Sequence, residues 1–66
     1  MANFNDANQA RLSLKMKLSQ YAWYDGSAVT LENGEYIVVI SVSTLNNQVR
    51  KLIPPVFNSV YIKTES

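Results

Sequence analysis

The stretch "RLSLKMKLS", Arg11–Ser19, decides how this chain is read. Leu12, Leu14, Met16 and Leu18 hold the even positions, and every odd position is charged or hydroxylated. A period of two is the signature of a half-buried strand. The residue types say otherwise. From Asp6 to Gln20 there is no valine, isoleucine or threonine, and alanine, leucine, lysine, arginine, methionine and glutamine are the strong helix formers. Asn5 or Asp6 can cap a first turn. On a helix, Ala7, Ala10, Leu14, Leu18 and Tyr21 form a stripe spaced 3, 4, 4 and 3, a good core face. Leu12 and Met16 then fall together on nearly the opposite side, one turn apart, flanked by Gln9, Ser19 and the lysines. Composition therefore predicts a helix with a second apolar spot. The strand alternative makes Arg11–Tyr21 the first strand of an all-β small barrel and leaves no such spot.

Downstream, "TLENGEYIVVISVSTL" sets Asn33-Gly34 between two runs rich in β-branched residues. Asn-Gly suits the positive φ angles of a type I′ hairpin. Strands are expected over about 28–32 and 35–45. In the second, Tyr36, Val38, Ile40 and Val42 share one face, and Ile37 and Val39 occupy the other. Apolar residues on both sides predict a central strand, covered on both faces in its first half. Asn46-Asn47 can enter the left-handed region, so Gln48–Ile53 reads as a third strand. Pro54-Pro55 ends any ladder, because neither residue has an N–H to donate. Val60 and Ile62 then alternate with Tyr61 and Lys63 in a short last strand. The expected fold is α+β: an N-terminal helix packed on a small antiparallel sheet of three or four strands.

Sixty-six residues make one domain, here 1–66 with loose ends at 1–5 and 65–66. A chain this short buries only roughly 60% of its unfolded surface, so association with another copy or another protein is a natural source of further burial. "MANFNDANQ" has no basic segment followed by an apolar one, unlike a secretory signal. The run "YIVVISV" is far short of a bilayer span, and cysteine is absent. A soluble cytoplasmic protein is expected, with no membrane partner. The net charge of +1 is too small to argue for nucleic acid by itself.

The pattern of "AVTLENGEYIVVISV" followed by "IPPVFNSVYI" resembles a short segment found ahead of the protease domain in some bacterial trypsin-like proteins. The matching positions are Val29, Leu31, Asn33-Gly34, Ile37–Val39, Val42, Pro54-Pro55, Val60 and Ile62. The match covers roughly 10–65 and consists of hydrophobic positions and turns; Asn58-Ser59 stands where the pattern has glycine. The resemblance implies an α+β layer and carries over no catalytic residue.

With neither histidine nor cysteine, the usual general base, thiol nucleophile and preferred zinc ligands are missing. The carboxylates are Asp6, Asp25, Glu32, Glu35 and Glu65. Glu32 and Glu35 flank the Asn-Gly turn, but two are too few for a calcium cage. No catalytic, cofactor-binding or metal residue is assigned, and the chain is not expected to be an enzyme. "SQYAWYDG" concentrates Tyr21, Trp23 and Tyr24 ahead of an expected Asp25-Gly26 turn. Tyr21 and Trp23 are expected to cap the core where helix meets sheet, leaving Tyr24 for a surface contact.

The function expected is that of a small non-catalytic interaction or accessory protein. It would bind a peptide or protein partner, a second copy or an enzyme among them, through a sheet edge or the Leu12/Met16 face, with Tyr24 as a further partner-binding residue. Which strand forms that edge is not legible in the sequence. The alternative is a nucleic-acid-binding module using Arg11, Lys15, Lys17, Arg50 and Lys51 with Tyr21, Trp23 and Tyr24.

Overall fold

Asn3 opens the first element. In the computed structural model, which describes residues 3–66, the Asn3 side chain accepts a hydrogen bond from the Asp6 N–H at 2.8 Å. It caps helix α1, Phe4–Leu18. The cap lies upstream of Asn5 and Asp6, the residues expected to provide it. Asp6 instead sits in the first turn, where a carboxylate complements the helix dipole. Met1 and Ala2 lie outside the described residues. Asn3–Asn5, expected to be loose, belong to the cap and first turn, and Glu65 belongs to the last strand.

The expected core stripe is the one that is buried. Ala7, Ala10, Leu14 and Leu18 all turn inward, and Tyr21 packs against the same cluster. The strand alternative for 11–21 and the all-β barrel it implies are thereby excluded. The two alanines let the first half of α1 lie close to the sheet. After Leu18 the chain turns through successive i→i+3 bonds, Tyr21 N–H to Leu18 O and Tyr24 N–H to Tyr21 O.

Four strands follow: β1 Tyr24–Glu32, β2 Glu35–Val42, β3 Val56–Phe57 and β4 Val60–Glu65, with helix α2, Asn47–Leu52, between β2 and β3. The spatial order is β1-β2-β4-β3, and the sheet is open. Asn33 and Gly34 have φ of 54° and 76°, the pair of positive values that a two-residue type I′ hairpin requires. β1 pairs antiparallel with β2 over Gly26–Glu32 and 35–41, and Tyr24 pairs with Val42. The expected Asp25-Gly26 turn is a β-bulge: Asp25 is the extra residue, and β1 continues through it. The turn itself lies earlier, at 18–24.

Residues 48–53 are a correction. Instead of a third strand, the segment is the helix α2. Asn46 does not enter the left-handed region; its φ is −135°. Its side chain accepts from the Val49 N–H at 2.9 Å and its carbonyl from the Arg50 N–H at 3.0 Å, which is the geometry of an N-cap. Glutamine, arginine, lysine and leucine support the helix, and Val49 and Ile53, four residues apart, both face the core. This crossover returns the chain to the starting end of the sheet. β4 therefore runs parallel to β2, with Val38 opposite Ile62 and Ile40 opposite Thr64. The sheet is mixed rather than antiparallel throughout. Pro55 takes part only as an acceptor, its carbonyl receiving the Ile62 N–H at 2.9 Å.

Val38, Ile40 and Val42 of β2 and Val60 and Ile62 of β4 share one cluster with the inward residues of both helices. The expected two-sided burial of β2 is met differently on its two faces. Ile37 is only 7% exposed yet stands outside that cluster. No helix covers it. Thr30 lies opposite it in β1, and the parallel register places Tyr61 beside it in β4. Lys63 Nζ also reaches Glu32 at 3.8 Å, joining β4 to β1 across β2.

Candidate functional site

The sheet has two unequal edges. β3 is two residues long and follows Pro54-Pro55, so that edge offers little backbone for pairing. β1 is nine residues long and, among the described residues, is bonded on one side only, to β2. Between Gly26 and Leu31 it has no charge and no proline. Natural edges are commonly blunted by lysine, proline or a bulge within the strand. Here the bulge at Asp25 and the charge at Glu32 stand at the ends, leaving "GSAVTL" open between them.

The residues singled out from sequence divide around this frame. Leu12 is 39% exposed and Met16 82% exposed, both on the outer side of α1, as the helical reading requires. Met16 borders an open depression of about 380 Å³ together with Lys17, Leu18, Gln20, Tyr21 and Leu52. Leu52 is itself exposed. Its place there depends on α2, so the strand reading of 48–53 hid it.

Tyr24 goes elsewhere. Half-buried at the start of β1, its hydroxyl is 3.0 Å from Ser27 Oγ. It lines a second depression, of about 280 Å³, with Arg11, Lys15, Asp25, Gly26 and Ser27. Tyr24 therefore belongs with the β1 edge, while Met16 borders the groove between the helices. Tyr21 and Trp23 stack at 4.9 Å with planes 12° apart and pack against the core, as expected of a cap. The Trp23 carbonyl accepts the Ser43 N–H at 2.9 Å, fixing the α1–β1 connection to the end of β2.

The basic residues do not converge. Arg11 and Lys15 stand over the beginning of β1. Lys17, on the other flank of α1, lies with Nζ 5.1 Å from the Phe57 ring centroid, over β3. Those are opposite edges of the sheet. Arg50 borders a third depression with Ile53, Pro54, Pro55, Ile62 and Thr64, and Lys51 is exposed on α2.

Glu32 and Glu35 are direct cross-strand partners, an arrangement that like charges disfavour. The Lys63 contact offsets it. Among the described residues no three potential metal ligands gather, and no helix is long and apolar enough to cross a membrane. Comparison with protein-family models, with curated proteins and with solved structures finds no match to this chain, so the reading of the site rests on its geometry.

Proposed function

We propose that this chain is a small non-catalytic interaction protein that takes up an extended segment of a protein partner by strand addition along β1. The observation that carries this reading is the open edge: nine residues paired on one side only, uncharged from Gly26 to Leu31. Backbone hydrogen bonds to such an edge supply affinity, and alternate side chains supply selectivity. The chain contributes no catalytic group of its own. If the partner is an enzyme, its role is that of an accessory subunit positioning a peptide.

The test is titration of a capped hexapeptide of alternating threonine and valine, followed by ¹⁵N amide shifts. The expected result is shifts concentrated at Gly26–Glu32. They should be lost in Ala28→Lys/Thr30→Lys, whose exposed side chains would place charge on the edge without touching the core. Shifts centred on Leu12, Met16 and Leu52 would overturn the edge reading in favour of the helix face. Light scattering at twice the monomer mass, with the β1 amides already perturbed before peptide is added, would make a second copy the occupant. A nucleic-acid partner would instead require affinity that falls steeply with salt, and no single surface gathers all five candidate cations.

A further inference from the structure

We infer that the segment added to β1 carries an acidic side chain where it passes Asp25–Ser27, and that Arg11 and Lys15 receive it. This rests on the strand-addition reading and adds the chemistry of the partner. Four observations support it. Arg11 and Lys15 lie one helical turn apart and line the same depression as the start of β1. The Arg11 Nε and Nη2 donate to Asn8 Oδ1 at 3.1 and 3.0 Å, which orients the guanidinium and leaves its remaining N–H groups free, out of five. Among the described residues neither cation is in an ion pair. Asp25 borders the depression without pairing to either, and the pair that does form, Lys63–Glu32, lies on the sheet face away from α1.

Geometry selects an aspartate or glutamate side chain over a chain-terminal carboxylate. Arg11 and Lys15 project from α1, which lies over one face of the sheet. Side chains of an added strand stand roughly perpendicular to the sheet and reach upward toward such groups. A terminal carboxylate stays in the plane of the backbone. A second copy of β1 does not meet the requirement. Added antiparallel, it brings its Glu32 end past Asp25–Ser27, and Glu32, whose partners are Glu35 and Lys63, stands on the face away from α1, while its own Asp25 is carried to the opposite end of the strand.

The experiment uses four hexapeptides of alternating threonine and valine, acetylated and amidated so that no terminal charge remains. Two carry glutamate, at the second or the fifth position, and two carry glutamine there. One glutamate peptide should bind about fivefold more tightly than its glutamine counterpart at low ionic strength, the range of a partly exposed ion pair. The difference should shrink toward unity in high salt, shrink in Lys15→Gln and vanish in Arg11→Gln/Lys15→Gln. Lys15 is exposed, so the single variant separates charge from folding. Equal binding of glutamate and glutamine peptides, with shifts at β1, would overturn this inference while the edge reading stands. Failure of all four to perturb β1 would overturn both.

Discussion

Leu14→Ala and Met16→Ala form a pair that separates the two readings of "RLSLKMKLS". Leu14 is 2% exposed and Met16 82% exposed, although they stand two positions apart in a strictly alternating run. Truncating Leu14 removes three carbons from the core. At about 0.8 kcal/mol for each buried carbon the transfer loss is about 2.4 kcal/mol, and incomplete collapse around the cavity raises the total to about 3 kcal/mol. Met16→Ala removes mainly solvated atoms and should cost less than about 0.5 kcal/mol. A domain of 66 residues has roughly 3–10 kcal/mol in total, so the first change removes a large share of the stability. Urea unfolding followed by circular dichroism gives the comparison directly. With a slope of about 1 kcal/mol per molar, the midpoint should fall by about 3 M for Leu14→Ala and by under about 0.5 M for Met16→Ala. A strand would put both residues on one face, and equal losses for the two variants would refute the helical packing.

The β3–β4 turn holds Asn58 and Ser59 at φ of 51° and 65°. Serine in the left-handed region bears a penalty of about 1–2 kcal/mol, part of which glycine returns as unfolded-state entropy. Ser59→Gly should therefore stabilise by about 0.5–1 kcal/mol, read as a higher urea midpoint; an unchanged or lower midpoint would contradict the strain. Asn46→Ala removes the cap of α2 and should cost about 1 kcal/mol, with faster amide hydrogen exchange at Val49. Unchanged exchange there would show that α2 does not depend on that hydrogen bond.

The fates of α1 and α2 show where sequence reasoning succeeds. α1 was legible because fifteen residues of helix-forming composition outweigh an accidental period of two, and because the inward stripe repeats over four turns. α2 has six residues, too few for a periodic signal. The same Asn46 that can open a left-handed turn can equally cap a helix, and only the chain's need to cross back for a parallel β4 selects between them. The candidate site follows the same division. Leu12 and Met16 were placed correctly on the outer side of α1 by angular spacing. Grouping Tyr24 with Arg11 and Lys15 required a β-bulge where Asp25-Gly26 reads as a turn.

The sequence by itself determined the helix and its buried face, the Asn33-Gly34 hairpin, the apolar alternation of β2 and the absence of histidine and cysteine chemistry. Each of these is local: a composition, a period or a backbone angle. Tertiary structure alone decided that β4 inserts beside β2, that β3 becomes a short edge, and that β1 is left open beneath two cations. Those outcomes depend on which strands compete for the flanks of β2. Backbone hydrogen bonding is the same for every strand, so the choice is made by how helices and crossover pack, not by the residues of the edge.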